Sequence, residues 1–364
     1  MRHLSTVAFC LLLGVVAAQA QFPEVTIRQV QEVPLDSLLI ADTLTININS
    51  RWTLQSSPLF QDTVVVTALC VAPAKTLTFT QRGWTMLLLD TTSNWAPWGG
   101  MLVRVGSSGD TSQAVLDGFL NVERGDIIKM TGRVDEFPAG TMNSATQFVP
   151  IPGVPIEIIS SAPIPSHIPK TIPDFYEGIF QGGGRIKYST GEPYEGLLVD
   201  LAVPLTVDAR VNIPRGTFSM VDGSGNQLTD YDASKFFTLQ GSSLDHPGPD
   251  SIWFIEYPLP GTIVNGMRGF ITTVAGSEAP RGYRVAPIYY GDVALGTVLP
   301  SITQHRRNPV VVPSDSAARI SVRAEQQFGG LPIASVELIY SLNNGPLITI
   351  PMVAQPDTTY AAQI

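Results

Sequence analysis

Gly125-Asp126-Ile127-Ile128-Lys129-Met130-Thr131-Gly132-Arg133-Val134 opens at a glycine turn and runs on as a long strand with a second glycine inside it. A glycine within a strand marks a sharp bend, a bulge or a close backbone approach. The same order recurs at Gly261-Thr262-Ile263-Val264-Asn265-Gly266-Met267-Arg268-Gly269-Phe270-Ile271. Ahead of each copy lies an aromatic strand ending in aspartate, Gly83-Trp84-Thr85-Met86-Leu87-Leu88-Leu89-Asp90 in the first and Gly216-Thr217-Phe218-Ser219-Met220-Val221-Asp222 in the second. The chain therefore carries two similar segments. Each has about five strand signals bounded by Gly, Pro, Asn, Asp and Ser, which predicts an all-β protein built from small closed Greek-key barrels.

Two breaks organise the rest. Pro163, Pro165, Pro169 and Pro173 crowd around Ser166-His167 and predict an extended linker over 163–173 that excludes a central strand. Pro300, Asn308-Pro309 and Pro313 mark a second boundary near Gly296. The predicted units are a leader over 1–20, a lead-in over 21–61, barrels over 62–162 and 174–295, and a third module over 296–364. Helical periodicity is confined to Thr111–Leu120, between the third and fourth strands of the first barrel, and to Asp232–Leu239. In the last module, strands are predicted over Arg319–Glu325, Ala334–Ser341, Leu347–Met352 and Thr359–Ile364, around the hairpin signal Asn343-Asn344-Gly345. A β-sandwich is the architecture that suits them. Four strands fall short of the roughly seven such a sandwich needs, so Ile364 is expected to precede further strands in the gene product.

Thr26-Ile27-Arg28-Gln29-Val30-Gln31, the Gly125-Asp126 to Gly132 strand and Gly191-Glu192-Pro193-Tyr194-Glu195-Gly196-Leu197-Leu198-Val199 resemble the OB-fold modules found beside catalytic domains in large extracellular bacterial nucleases and other secreted multidomain proteins of Bacteroidota-like bacteria. The resemblance covers roughly Thr26 to Val293. Val336-Glu337-Leu338-Ile339-Tyr340 is similar to the immunoglobulin-like or fibronectin-like modules of the same proteins. It implies two tandem OB-like barrels, an incomplete immunoglobulin-like module and an extracellular or cell-surface location reached through the periplasm of a Gram-negative-type bacterium. It says little about activity, because this superfold hosts many functions.

The chain's own ends and composition agree with export. Arg2 and His3, an apolar run from Val7 to Val16 and Ala18-Gln19-Ala20 follow the three-part order of a cleavable signal peptide, with Gln21 as the expected mature start. That run is too short to span a bilayer, and Cys10 lies too deep within it for lipidation. Removal of the leader leaves Cys70 as the only cysteine, so no internal disulfide can form, and its apolar surroundings Val64 to Val71 predict a buried strand position. The chain holds 22 Lys and Arg against 31 Asp and Glu, a formal net charge of −9. This charge opposes generic attraction to phosphate backbones or anionic membranes.

No residue set has catalytic or metal-ligand spacing. His167, His246 and His305 are scattered, without the convergent partners that a triad or zinc site needs. Asp222, Asn226 and Asp230 offer oxygen ligands for calcium, but the closing glutamate of an EF-hand is missing and a glycine-rich turn explains the same residues. Gly182-Gly183-Gly184-Arg185 lacks the ending and context of a phosphate loop. Asp135-Glu136, Glu192 and Glu195 read as solvated carboxylates, the last two in a turn leading to the next strand. Trp95-Ala96-Pro97-Trp98-Gly99-Gly100 is the one cluster suited to a ligand, since rim aromatics stack on bases or sugar rings. Lys75, Arg82 and Arg104 would supply polar contacts, and burial of one or both tryptophans as core at the barrel end is the competing reading.

These features predict a non-catalytic secreted binding or scaffold protein without cofactors. Its expected ligand is an extracellular polymer, a glycan ahead of single-stranded nucleic acid because of the acidic charge. The alternatives are an accessory region of a secreted nuclease or other hydrolase, and a purely structural spacer.

Overall fold

The computed structural model describes residues 22–364 apart from 45–48, 81–82, 93–94, 107–110, 180–183, 238–254, 275–280, 297–299, 311–316, 327–329, 331 and 343–344. The leader Met1–Ala20, Arg82, His246 and Asn343-Asn344 lie outside the described residues.

The chain is all-β in its framework. The first sheet contains β1 (Glu24–Val25), β2 (Thr63–Ala72), β3 (Phe79–Thr80), β4 (Gly83–Asp90), β5 (Gly100–Val105), β6 (Asp126–Phe137), β7 (Ala145–Pro150) and β8 (Glu157–Ser161). Five of these close on themselves in the order β2-β4-β5-β7-β6, with β6 returning to β2 from Thr63↔Arg133 to Leu69↔Ile127. All contacts in that circuit are antiparallel except β5 with β7, which run parallel. The barrel core holds Val64, Val66, Met86, Leu88, Met101, Val103, Met130 and Phe148. The helix predicted near Thr111 is present as α3 (Ser112–Leu116) followed by a 3-10 turn over Phe119–Asn121.

The second unit repeats the plan. After β9 (Ile168–Lys170), β10 (Tyr176–Glu177) and β11 (Arg185–Ile186) come β12 (Leu198–Leu201), β13 (Leu205–Asn212), β14 (Thr217–Val221), β15 (Gln227–Asp230), β16 (Ile263–Val274), β17 (Gly282–Ala286) and β18 (Val293–Leu295). The circuit is β13-β14-β15-β17-β16 and back to β13, again with its third and fifth strands parallel. β12 and β13 act as one first strand, since both pair antiparallel with β16. In chain order the glycine-opened strands are the fourth of each circuit and the aromatic strands the second, so the duplicated segments are structurally equivalent. The equivalence extends outside the circuits. β1 lies parallel to β2 as β9 lies parallel to β12, and each is followed by a threonine-capped helical turn, at Thr26 and at Thr171.

Gly132 does not bulge. It pairs in register with Val64 and Pro150, and a Cβ there would lie 2.4 Å from the Phe148 ring, so it makes room for a core aromatic. Gly266 does sit at a register shift, between β16 and β18. The proline-rich stretch is only partly a linker, because β9 forms an edge strand within it, where proline is tolerated. No helix forms over the described part of Asp232–Leu239. Asp232 accepts from the Phe236 and Phe237 amides and Lys235 adopts φ 65°, which wraps the segment into a tight turn.

The C-terminal module has β19 (Ser301–Asn308), β20 (Arg319–Glu325), β21 (Glu337–Tyr340), β22 (Ile348–Pro351), β23 (Val353–Ala354) and β24 (Thr359–Gln363). They form a four-stranded sheet β19-β20-β24-β23 and the hairpin β21–β22 around a small core of Ile320, Val322, Ala324, Val336 and Met352. β19 occupies a stretch where prolines suggested a boundary.

Candidate functional site: the joint between the barrels

The segment before β2, which has no clear periodicity, folds into a strap across both barrels. α1 (Ile27–Gln31) starts in a capping box at Thr26 and buries Ile27 and Val30 in the first barrel's core. α2 (Leu35–Asp42) buries Leu38 and Ala41 in the second barrel's core. Asp42 ends α2 by accepting from the amides of Tyr188 and Ser189 and from the Ser189 hydroxyl, at the start of α4 (Tyr188–Gly191).

The barrels share one apolar interface. Leu69, Val71, Leu87, Leu89 and Leu102 of the first pack with Leu197, Leu198, Phe270, Ala286 and Ile288 of the second. At its edge two backbones touch. A Cβ on Gly100 would sit 2.2 Å from the Gly196 carbonyl carbon, and Gly196 holds φ +71°, so glycine is needed on both sides.

Trp98 belongs to this joint and not to a solvent rim. Its side chain is 7% exposed, within the cluster that includes Leu38, Tyr188 and Phe175, and its amide donates to the Pro193 carbonyl at 2.8 Å. Trp95 is half-buried against the shared interface. The two polar companions among the described residues have other partners. Lys75 pairs with Glu123 at 2.7 Å, and the Arg104 guanidinium lies over the Phe137 ring. Arg104 is four strand positions along β5 from Gly100, roughly 13 Å at the usual rise per residue. Trp98→Ala is expected to cost about 3 kcal/mol of stability, as emptying a buried aromatic site does. A melting temperature unchanged by that substitution would return Trp98 to the rim.

Three of the carboxylates read as solvated are buried in the joint. Glu136, Glu192 and Glu195 are 3%, 4% and 3% exposed. Glu192 accepts from Gln55 of the strap at 2.9 Å and from the Tyr283 hydroxyl of the second barrel at 2.5 Å. Gln55 in turn accepts from the Asn143 amide of the first barrel, and the Tyr188 hydroxyl donates to the Asn143 side chain. Glu136 accepts from the Ser57 amide and the Ser144 and Thr146 hydroxyls. Glu195 accepts from Thr273 and, at 3.4 Å, from the Thr146 amide. Burial pushes Glu192 up to about 8, against the hydrogen bonds of Tyr283 and Gln55. Burial, then the neighbouring Glu192 and Glu136, hold Glu195 well above the carboxylate range, and burial raises Glu136. These partners carry no positive charge, so protons and neutral donors stabilise the cluster.

The calcium candidates do not converge. Asp222 accepts from the Ser224 and Asn226 amides and the Asn226 side chain, closing the β14–β15 turn. Asp230 lies fully buried at the other end of β15, accepting from the Phe218 amide. Among the described residues no group of three or more His, Cys, Asp or Glu is placed to hold a metal ion. Cys70 is fully buried and burial raises its thiol pKa, which makes it unreactive. No described helix is long and apolar enough to cross a membrane.

On another side of the joint lies an open pocket of about 280 Å³ lined by Arg124, His167, Arg268, Tyr289 and Asp292 with apolar walls. The Arg124 guanidinium stacks over the Tyr289 ring at 4.5 Å, and the Tyr289 hydroxyl reaches across to the Val71 carbonyl of the first barrel. Asp292 accepts from the Ile288 and Tyr289 amides and faces Arg268 at 3.6 Å. Burial lowers the His167 pKa, with Asp292 and Asp200 opposing and Arg268 and Arg124 adding to the effect. The residues of this pocket come from separated segments, and in the sequence only the linker position of His167 stands out.

No protein-family model matches the chain, and no curated protein matches it.

Proposed function

We propose that this chain is a secreted, non-catalytic binding and scaffold protein for an extracellular polymer, built on two OB-type barrels joined as one body. The shared five-strand circuit, with parallel third and fifth strands and a short helix before the fourth in the first copy, supports the OB-type reading. The observation that carries the functional reading is the joint itself. Apolar faces, facing glycines and hydrogen-bonded glutamates link the strap and both barrels, which suits a rigid platform better than hinged catalytic halves. Net charge favours a glycan over single-stranded nucleic acid as the polymer. The test is a binding screen of the mature protein against glycan arrays and single-stranded DNA at two salt concentrations. Retained glycan binding at high salt is the expected result. Binding to DNA alone, lost as salt rises, reverses the ligand assignment, and no binding to either removes the polymer reading.

A further inference from the structure

We propose that the inter-barrel pocket bounded by Arg124, Arg268, His167 and Tyr289 is a binding site for a carboxylated sugar ring, such as a uronate unit in an otherwise neutral polysaccharide. The inference rests on the polymer-binding reading and specifies its ligand.

Three features of the pocket select that chemistry. First, two guanidiniums and one carboxylate line it, and although Asp200 stands near His167, Arg268 is matched by Asp292 while Arg124 presents its charge to the opening. Arg124 makes no ion pair among the described residues and keeps its fork of donors for a planar carboxylate. Second, half-buried Ile164 gives an apolar wall for the C–H face of a sugar ring, backed by the buried Val71, Leu198 and Ile288. Third, the volume of about 280 Å³ suits one ring with its substituents. A phosphate polymer would meet the protein's acidic surface at every neighbouring charge, whereas a uronate set in an otherwise neutral glycan brings one carboxylate to the pocket and no further charge to that surface.

The floor of the site is fixed before any ligand arrives. The Tyr289 hydroxyl is held on the Val71 carbonyl, and Asp292 is held by two amides while facing Arg268. Binding should also be linked to protonation. His167 is faced by Asp292, Arg268, Asp200 and Arg124, and a bound carboxylate adds negative charge to that set. Because burial holds His167 of the free site below the ordinary histidine value, affinity is then expected to rise as pH falls below the ordinary histidine range.

The experiment is calorimetric or NMR titration of the full mature chain with digalacturonate, its methyl ester, inorganic phosphate and a short oligo(dT). Digalacturonate should bind at least tenfold more tightly than the methyl ester. Arg124→Ala should weaken it about tenfold, with Arg124→Lys intermediate because the charge remains but the fork is lost. Arg124 is solvent-exposed, so an unchanged melting temperature shows that the variant is folded. Equal binding of acid and ester, indifference to Arg124→Ala, or no binding of digalacturonate by the folded protein overturns the proposal. Phosphate or oligo(dT) binding as tightly as the uronate overturns the ligand class. If digalacturonate fails while the glycan screen succeeds, the pocket assignment falls and the polymer-binding function stands; failure of both removes the two together.

Discussion

Raising the pH from 5 to 9 is expected to lower the melting temperature of the protein by about 5–10 °C, and Glu192→Gln is expected to remove much of that fall. The cause is the proton that the buried joint keeps. In the unfolded chain Glu192 loses it near pH 4.5, whereas in the folded joint burial holds it to about 8. Between those values the native state binds more protons than the unfolded state, so stability falls with rising pH. The contribution is fully present below the unfolded value and is lost as pH passes through the folded one. For a fully buried carboxyl this amounts to a few kcal/mol, on the order set by about 1.4 kcal/mol per unit. The amide introduced by Glu192→Gln keeps an oxygen for the Gln55 and Tyr283 donors and cannot ionise. Glu195 retains its own share of the slope, so Glu192→Gln with Glu195→Gln should give the flattest profile. Differential scanning fluorimetry across pH decides it. A wild-type melting temperature that is flat or rises from pH 5 to 9, with both variants parallel to it, would show that the glutamates are not holding protons in the joint.

Gly196→Val should destabilise the protein by about 5 kcal/mol, combining a left-handed backbone penalty with overpacking that cannot relax. The atoms a Cβ would meet at Gly196 are backbone atoms of Gly100 and Met101, at 2.5–2.9 Å, and backbone cannot rotate aside as a side chain can. Gly153→Val is the control. Gly153 has φ +83° but open space around it, so it bears the conformational penalty without the clash. Chemical denaturation of both variants separates the two terms. Equal losses would mean that the barrels part freely at this point and that the close contact contributes nothing.

Much of the framework was legible because it is periodic and local. The paired glycine-opened strands and the aromatic strands before them mark equivalent positions of the two circuits, and the four C-terminal strands overlap those observed. What escaped reading depends on partners far away in the chain. Glu192-Pro193-Tyr194-Glu195 looks like a surface turn, and only Gln55 and Tyr283 arriving from either side make it interior. Trp98 stands out by its neighbours in sequence, yet its backbone partner is Pro193. The strap was invisible because its helices are five and eight residues long, and their apolar faces are divided between two different cores. The Arg124–Tyr289 stack likewise joins residues from different barrels.

The strap also sets an order of assembly. A chain that emerges N-terminus first presents α2 long before the residues that receive it, because Leu38 and Asp42 settle against a core and a helix that include Tyr188 and Tyr283. Tyr188 follows Asp42 only after the whole first barrel has emerged. Through that interval α1 can dock on the first barrel while α2 remains an apolar helix without a home. α2 thus precedes both barrels in the chain yet is among the last elements to reach its place, and its docking joins the two barrels only once both are present.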